Sequence, residues 1–254
     1  MILTVDAGNT NICLGVFDGD TLITESRIDT NTARMADQYA VMIRDILALY
    51  NVTPQQIDGA IISSVVPPVT SQLKAAVKNL FGVTPVMVGP GVKTGLNIKI
   101  DDPASLAADL CCTAVGAMSK YPLPAIIVDL GTATKITVVN EKREYIGGAI
   151  APGVMVSLGA LSKTAALLPT VGLSAKLDVI ATETSSAMLS GSILGTASML
   201  DGMIARFEKE IGEAKTIVAC GGLAKVVVPH CEREIVVDKD LLLDGLIAIY
   251  KKNN

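Results

Sequence analysis

Two short stretches of the chain combine an aspartate with a glycine turn in a pattern that could bind phosphate. The first is ILTVDAGNT, residues 2–10, and the second is IIVDLGTAT, residues 126–134. In each, a β-branched apolar run reaches an aspartate, Asp6 or Asp129, and passes through Gly and Thr into a second apolar run. Such a turn offers backbone N–H groups and hydroxyls to phosphate, and its carboxylate suits a cation that bridges to phosphate. The pattern therefore predicts two phosphate-binding turns.

The repetition of this strand–turn–strand pattern, half a chain apart, favours a duplicated lobe over two unrelated glycine turns. Gly8 and Gly131 lack Cβ atoms and so allow the backbone to approach a ligand closely. Two similar lobes would make the turns face each other across a cleft that could hold one polyphosphate. No GxxxxGKS/T sequence competes with this interpretation, and the glycines of residues 89–95 are spaced wrongly for a dinucleotide fingerprint. That segment is either a substrate-side loop or a plain loop.

A single acidic residue in an apolar stretch is the candidate catalytic base. Residues 104–119, ASLAADLCCTAVGAMS, carry one charge, Asp109. Asp102 is a suitable N-cap and Pro103 a suitable first helical residue, which would place Asp109 in the second turn of a central helix. A carboxylate among apolar neighbours either meets a partner or faces a pocket. Facing a polyphosphate, it would orient a hydroxyl and accept its proton; the alternative is a structural carboxylate near a helix N-terminus.

The charge balance and the cysteine and histidine content exclude several classes of function. The net charge is −4 and no basic tract is present, which argues against a nucleic-acid partner. The five cysteines contain no CxxC pair and are expected to be reduced and mostly buried, as in a cytoplasmic protein. The single histidine, His230, is expected at the surface, so neither a Ser–His pair nor a zinc site is expected.

No segment is expected to enter a membrane. The first apolar run has no basic residues before it and is interrupted by Asp6, unlike a signal peptide. The longest uncharged stretch, Ile146–Ser162, contains Pro152 and four glycines, and it is too short and too broken to span a bilayer.

The order of strand and helix patterns predicts an α/β fold with two similar lobes and mixed sheets. In each half, three adjacent apolar runs of strand character precede helical and further strand patterns. The lobes are expected at residues 1–122, with the first turn and the catalytic helix, and at residues 123–254, with the second turn. The boundary is placed near the KYPLP sequence, Lys120–Pro124.

Six motifs in a fixed order resemble those of the type III pantothenate kinases, which belong to the acetate and sugar kinase/Hsc70/actin superfamily. The motifs are DAGNTN (6–11), SSVVP (63–67), KTGLNI (93–98), DLGTAT (129–134), GGAIAPG (147–153) and CGGL (220–223). The resemblance covers essentially the whole chain. It implies two ribonuclease H-like (actin-like ATPase) lobes around a nucleotide cleft. The implied reaction transfers phosphate from ATP to pantothenate and gives 4′-phosphopantothenate, the first step of coenzyme A synthesis.

The resemblance also implies roles for individual residues. Asp109 would be the catalytic base, Asp129 would hold a monovalent cation (K⁺ or NH₄⁺), and Mg²⁺ would accompany ATP. The residues implied for ATP phosphates are Asp6, Ala7, Gly8, Asn9, Thr10, Asn11, Ile12, Cys13, Gly131 and Thr132. Those implied for pantothenate are Ile100, Ala107, Ala108, Asp109, Leu110 and Thr184. The family is usually a homodimer, and the dimer contacts are expected in the C-terminal lobe.

The pantothenate side departs from the family pattern at two positions. The family's Gly-Ala-Asp-Arg motif reads Ala107-Ala108-Asp109-Leu110, and a family tyrosine is Ile100. Leu cannot replace an Arg that pairs with a carboxylate, and losing such a buried pair costs roughly 2–5 kcal/mol. The chain is therefore a weak pantothenate kinase, a pantothenate kinase whose substrate carboxylate another residue holds, a kinase of a related small alcohol without the carboxylate, or a non-catalytic nucleotide-binding homologue. The last is disfavoured because all three aspartates are present.

The second turn departs from the family pattern as well, because a lysine follows it. Lys135 stands in the apolar strand pair, at a position where the family usually has no cation. Its ammonium could point at phosphate and partly replace the monovalent cation, or it could extend to the surface. Because long basic side chains commonly reach water along apolar surfaces, we expect the surface position.

Overall fold

The computed structural model describes residues 1–174 and 176–254, which form two compact units. The first unit comprises Met1–Asn97, Asp101–Ser119 and Asp240–Asn254, and the second comprises Ile98–Ile100 and Lys120–Lys239. The break after Ser119 lies close to the division at residue 122 that the sequence suggests. The last fifteen residues differ from that division, because they join the first unit instead of the C-terminal lobe.

The strands and helices alternate along the chain as an α/β fold requires. The strands are β1 (Ile2–Ala7), β2 (Asn11–Asp18), β3 (Thr21–Asp29), β4 (Gly59–Ser64), β5 (Val86–Met87), β6 (Asn97–Ile98), β7 (Ala125–Leu130), β8 (Ala133–Val139), β9 (Glu144–Pro152), β10 (Thr216–Cys220) and β11 (Val236–Val237). The helices are α1 (Ala36–Leu49), α2 (Pro67–Phe81), α3 (Ala108–Lys120), α4 (Val154–Thr164), α5 (Thr184–Ile211), α6 (Ala224–Val227) and α7 (Leu241–Asn253).

The two sheets repeat one strand order, which confirms the predicted duplication. The first sheet has the order β3-β2-β1-β4-β5, and the second contains β9-β8-β7-β10-β11 with β6 added beside β9. In the first, β1 is antiparallel to β2 and parallel to β4. In the second, β7 is antiparallel to β8 and parallel to β10. The same mixed sheet therefore carries each of the two aspartate–glycine turns.

Glycines explain why α7 belongs to the first unit. A Cβ atom at Gly245 would lie 1.9 Å from the Cys112 carbonyl oxygen, and one at Gly116 would lie 2.1 Å from the Leu241 carbonyl oxygen. Helices α3 and α7 therefore pack backbone against backbone, which only residues without a Cβ permit. The apolar pattern of α7 predicts a buried face but does not identify its partner, so the sequence could not assign this helix to its unit.

The core of the second unit is built on α5. Leu189, Ile193 and Leu200 of this helix are buried with residues of β7 and β8. By length and composition alone, α5 is the one helix among the described residues that could cross a membrane. This is weak evidence for a membrane span, because a helix in the core of a globular unit meets the same criteria.

Candidate active site

The first turn joins β1 to β2 through residues 8–10. It is closed by the Gly8 N–H, which donates to the Asn11 carbonyl oxygen at 3.0 Å. Thr30, the residue that follows β3, also fixes the turn, because its hydroxyl donates to the Gly8 carbonyl oxygen at 2.6 Å. Residues 9–11 are exposed. The turn is thus fixed by its backbone and presents its polar side chains to solvent, as a phosphate-binding turn requires.

Asp6 stands at the end of β1 between two paired neighbours. Its partners in the sheet are Cys13 on β2 and Ser63 on β4, and paired residues share a face of the sheet. The Ser63 hydroxyl donates to Asp6 Oδ1 at 2.8 Å. Burial is the main cause that raises the pKa of the Cys13 thiol to about 12; Glu25 adds to it and Arg27 opposes it. The Asp6 carboxylate is therefore oriented by a hydroxyl and faces a neutral thiol.

The second turn joins β7 to β8 through Gly131 and Thr132 and is one residue shorter than the first. The Gly131 N–H donates to the Ala133 carbonyl oxygen at 3.1 Å, and the Gly153 N–H donates to the Thr132 carbonyl oxygen at 3.1 Å. A Cβ atom at Gly153 would lie 2.4 Å from that same Thr132 oxygen. The chain that enters α4 therefore lies directly against the turn, and the exposed Thr132 keeps a fixed backbone position.

The carboxylate of Asp129 is paired with a lysine from the neighbouring strand. Lys135 is its partner across β7 and β8, at the register position that Cys13 occupies opposite Asp6. Lys135 Nζ lies 2.9 Å from Asp129 Oδ2, and the two side chains are only 19% and 15% exposed. The expectation that Lys135 extends to the surface is therefore wrong. Residues paired across strands share a face, so the ammonium meets the carboxylate before it could reach water.

A third strand closes the other side of Asp129. Cys220, the last residue of β10, is its partner in the parallel pair, and Gly221 follows with φ +90°. A Cβ atom at Gly221 would lie 2.7 Å from Asp129 Oδ1 and 2.6 Å from the Leu130 carbonyl oxygen. The backbone at this glycine thus lies against the carboxylate. The surroundings of Asp129 are consequently fixed on two sides, by Lys135 and by Gly221.

The candidate base, Asp109, lies at the start of α3. Asp102 caps a separate short 3-10 turn, Pro103–Ser105, and α3 itself begins at Ala108. Asp109 is therefore in the first turn of its helix, and the prediction of the second turn was wrong. The extended residue Leu106 interrupts the helical pattern, which the apolar spacing did not reveal. A carboxylate in the first turn is stabilised by the helix dipole more strongly than one in the second.

The surroundings of α3 connect Asp109 to Asp6 within the first unit. Cys112, one turn after Asp109, is fully buried, and burial is the first cause that raises its thiol pKa well above the usual value. The negative charges of Asp6 and Asp109 both add to that rise, and a hydrogen bond with Ser63 opposes it. Asp109 is itself partly exposed, and its Oδ1 accepts from the Leu110 N–H at 2.8 Å. The charges of the candidate base and of the first carboxylate thus both act on the buried Cys112 thiol.

The residues implied for pantothenate are divided between the two units. Ala107, Ala108 and Leu110 surround Asp109 at the start of α3, where Leu110 is buried at 9% exposure. Ile100 is partly buried in the second unit, where its Cγ2 lies 3.8 Å from the position of a Cβ at Gly147. Thr184 is exposed as the first residue of α5. At the two positions where the sequence is expected to depart from the family, the apolar side chains of Leu110 and Ile100 are thus buried and partly buried.

Three residues of the sites escaped the sequence analysis. Ser63 lies in the SSVVP motif, Gly153 in GGAIAPG and Gly221 in CGGL. The sequence shows that each of these motifs ends an apolar run at a proline or a glycine. It does not show which strands pair, and that pairing decides the contacts of the three residues with Asp6, Thr132 and Asp129. The cysteine and histidine predictions are confirmed: all five cysteines are free thiols, and His230 is exposed.

The two turns differ in the cation that their residues could hold. A partly exposed carboxylate such as Asp6, with substrate phosphates, matches the usual coordination of Mg²⁺. Asp129 does not fit the expected monovalent cation, because Lys135 already places a positive charge at its carboxylate and would repel a second one. Among residues 1–174 and 176–254, no group of three or more His, Cys, Asp or Glu side chains could hold a metal ion.

A family model described as type III pantothenate kinase matches residues 2–206. The chain belongs to the type III pantothenate kinase family. The type III pantothenate kinase of Exiguobacterium sp. AT1b is 44% identical over 253 residues, covering 100% of this chain and 99% of that protein. That of Halalkalibacterium halodurans is 43% identical and fully covered, and that of Geobacter sulfurreducens is 40% identical with 99% covered.

Solved structures place this type III pantothenate kinase family member in the fold of the actin-like ATPases and ROK kinases. A ROK family glucokinase from Streptomyces griseus, solved with glucose and AMPPNP, matches with a TM-score of 0.56 at 14% identity, covering 99% of both chains. The (R)-2-hydroxyglutaryl-CoA dehydratase component A of Acidaminococcus fermentans matches with a TM-score of 0.57 at 16% identity, covering 99% of this chain and 98% of that one. These distant matches confirm the fold predicted from the sequence.

Proposed function

We propose that this chain transfers the γ-phosphoryl group of ATP to the 4′-hydroxyl of pantothenate and so acts in the first step of coenzyme A synthesis. The observation that carries the proposal is the match to type III pantothenate kinases along the chain. It is supported by the aspartate at each of the two turns and by the base candidate Asp109 in the first turn of α3, whose charge, like that of Asp6, raises the pKa of the Cys112 thiol. As a metabolic enzyme of this kind, it would work in the cytoplasm.

The two turns would bind the phosphates of ATP through their backbones. Residues 6–13 supply the first turn, and Gly131 and Thr132 supply the second. The exposed turn residues suit phosphate oxygens, and the N–H groups of Gly8 and Gly131 close the turns and hold their shape. Asp6 would hold the divalent cation that accompanies ATP. When bound, that cation would neutralise part of the negative charge of the phosphates. The Ser63 hydroxyl keeps the carboxylate of Asp6 oriented for this task.

Asp109 would serve as the general base. Its carboxylate accepts the proton of the acceptor hydroxyl while the hydroxyl oxygen forms a bond to the γ-phosphorus of ATP. The bond between that phosphorus and the bridging oxygen breaks, and ADP leaves with the electron pair. A base in a kinase mainly positions the hydroxyl, because most of the catalysis comes from alignment and charge neutralisation. The first helical turn of α3 fixes Asp109 in place for this role.

A second candidate function is phosphorylation of a related alcohol that lacks the carboxylate. The observation that favours it is the buried Leu110 in place of an arginine, together with the partly buried Ile100 in place of a tyrosine. A carboxylate near either of these apolar side chains would lose water without gaining a bidentate partner. Ala107, Ala108 and Thr184 remain candidates for contact with either acceptor.

We also infer that the chain forms a homodimer, on the basis of the family resemblance and the surface of the second unit. The described residues between Ile146 and Ile180 include nine exposed large hydrophobic side chains, among them Ile150 at 71% and Leu167 at 95% exposure. Such exposed apolar surface is typical of interaction sites. Sedimentation of Ile150→Asp against the control Leu49→Asp, which changes an exposed residue of α1, tests the inference. Dissociation is expected in the first variant alone.

The acceptor is tested with two substrates that differ in one group. The purified chain is supplied with ATP and Mg²⁺ and with either pantothenate or the matching alcohol, in which a hydroxymethyl group replaces the carboxylate. Mass spectrometry then identifies the phosphorylated product. A higher kcat/KM for pantothenate supports the first function. It would also mean that another cationic group pairs with the pantothenate carboxylate in place of the missing arginine. A higher value for the alcohol supports the second, and the absence of any phosphorylated product contradicts both.

A further inference from the structure

The ion pair of Asp129 and Lys135 places a fixed positive charge where the family resemblance implies an exchangeable one. The Lys135 ammonium lies 2.9 Å from Asp129 Oδ2. It carries the same unit charge as K⁺, and its chemistry is that of NH₄⁺ with one hydrogen replaced by the side chain. A monovalent ion bound at this carboxylate would have to displace the ammonium or lie beside it at the cost of like-charge repulsion.

We propose that the Lys135 ammonium takes the place of a bound monovalent cation in this chain, so that nucleotide binding and phosphoryl transfer proceed without K⁺ or NH₄⁺. This inference rests on the proposed function. It assigns Lys135 as a positioning residue that compensates the charge of Asp129 beside the second phosphate turn. The side chain of Lys135 would then supply the cation, and activity would require ATP, Mg²⁺ and the acceptor but no monovalent salt.

The strand register makes the position of the ammonium a consequence of the fold. Asp129 and Lys135 are directly paired on β7 and β8, and both side chains therefore stand on one face of the sheet. Paired residues of this kind have Cβ atoms about 4.5–5.5 Å apart, which a lysine stem spans easily. Ile136, the next residue of β8, is buried on the opposite face, so the strand cannot slip by one residue without burying the charge.

The surroundings leave little freedom for a different arrangement. The backbone at Gly221 lies against Asp129 Oδ1, whereas Lys135 Nζ contacts the other carboxylate oxygen, Oδ2. The Lys135 and Asp129 side chains are both less than one-fifth exposed, so their attraction is screened less than that of a surface pair. By contrast, Lys142 is exposed in the turn that joins β8 to β9. Lys142 provides a matched control, because it has the same charge without the same position.

The experiment measures cation dependence in two ways. Calorimetry gives the affinity for a non-hydrolysable ATP analogue with Mg²⁺, without acceptor, in potassium chloride and in choline chloride of equal ionic strength. The kinase assay gives kcat/KM for ATP in the same two salts. The variants are Lys135→Ala, which leaves room for an ion, Lys135→Met, which fills the space without charge, and the control Lys142→Ala.

The proposal gives a distinct result for each variant. The parent chain and Lys142→Ala bind and turn over equally in both salts. Lys135→Ala loses about 100-fold in kcat/KM in choline, the scale of a lost charge at a phosphate site, and recovers most of it in potassium. Lys135→Met loses a similar factor in both salts, because no ion can enter.

Two results would overturn the proposal. One is a parent chain whose analogue affinity or activity falls strongly in choline. The other is a Lys135→Ala variant that shows no difference between salts and binds as the parent does. A parent chain that binds the analogue equally in both salts but phosphorylates no acceptor contradicts the proposed function and leaves the binding part of this inference supported. A chain that binds no nucleotide in either salt contradicts both.

Discussion

The hairpins β1–β2 and β7–β8 share their connectivity and their terminal aspartate, and they differ in the group opposite that aspartate. In the first, Asp6 faces a neutral thiol, Cys13, and accepts a hydrogen bond from Ser63. In the second, Asp129 faces the ammonium of Lys135. One duplicated element therefore provides a carboxylate opposite a neutral thiol and a carboxylate opposite an ammonium. The two hairpins therefore share a backbone arrangement, while the residue opposite the aspartate, Cys13 or Lys135, differs in charge.

The largest expected effect separates the two carboxylates by activity. Asp6→Asn should lower kcat/KM for MgATP by about 10²–10³, because a charge aimed at the metal–phosphate group is lost. The loss should shrink as the Mg²⁺ concentration rises. Steady-state kinetics over a range of Mg²⁺ concentrations measures both effects. An Asp6→Asn enzyme with unchanged Mg²⁺ dependence would show that the first carboxylate does not hold the divalent ion.

The next largest expected effect is on the free energy of unfolding, and it distinguishes Gly221 from Gly131. Gly221→Ala should destabilise the fold by about 3 kcal/mol or more, because φ is +90° and the new Cβ would lie 2.6 Å from a carbonyl oxygen. Gly131→Ala should leave stability nearly unchanged, because the new Cβ would meet Asp129 Oδ1 only at an ordinary contact distance of 3.5 Å. Urea unfolding measures both, and Gly191→Ala, with open space around it on α5, is the control.

If Gly131→Ala nevertheless weakens binding of the ATP analogue, the second turn needs glycine for ligand approach and not for folding. A destabilised Gly131→Ala together with a stable Gly221→Ala would contradict the contacts described for β7 and β10.

A double-mutant cycle measures the pair that distinguishes the second hairpin. Lys135→Met should lower the free energy of unfolding by up to about 3 kcal/mol, because a largely buried carboxylate loses its compensating charge. Adding Asp129→Asn should restore part of that loss, since no charge then remains unpaired. Denaturant unfolding of the two single variants and the double variant gives the coupling energy. Additive losses would mean that the two side chains do not stabilise each other.

The smallest effect concerns the neutral thiol of the first hairpin. The pKa of Cys13 is raised to about 12 in the folded chain, mainly by burial, so the folded state keeps a proton that the unfolded state releases near pH 9. The stabilisation is complete below pH 9 and is lost as the pH rises towards 12, by at most about 1.4 kcal/mol per pH unit. Cys13→Ala should remove this part of the pH dependence.

Urea unfolding of the parent chain and of Cys13→Ala between pH 7 and pH 10.5 tests this. The two curves should run parallel below about pH 8.5, where thiols are protonated in both states. Equal slopes above pH 9 would mean that Cys13 ionises in the folded chain as readily as in the unfolded one.

The sequence predicted what depends on local pattern and failed where strand pairing decides. The two aspartate–glycine turns follow from turn chemistry, and the structure has both, between β1 and β2 and between β7 and β8. The position of Lys135 does not follow, because the second turn is one residue shorter and shifts which residue faces Asp129. The start of α3 was placed too early, since both Asp102 and Ala108 begin helical turns.

The central claim is acid–base assisted phosphoryl transfer to pantothenate, and one assay tests it directly. ADP release is measured with ATP, Mg²⁺ and K⁺, with and without pantothenate, for the parent chain and for Asp109→Asn. The account predicts that pantothenate stimulates the parent chain and that the variant loses about 10²–10⁴ of the stimulated rate while still binding the ATP analogue. A variant as active as the parent, or a folded, nucleotide-binding parent that pantothenate does not stimulate, would contradict it.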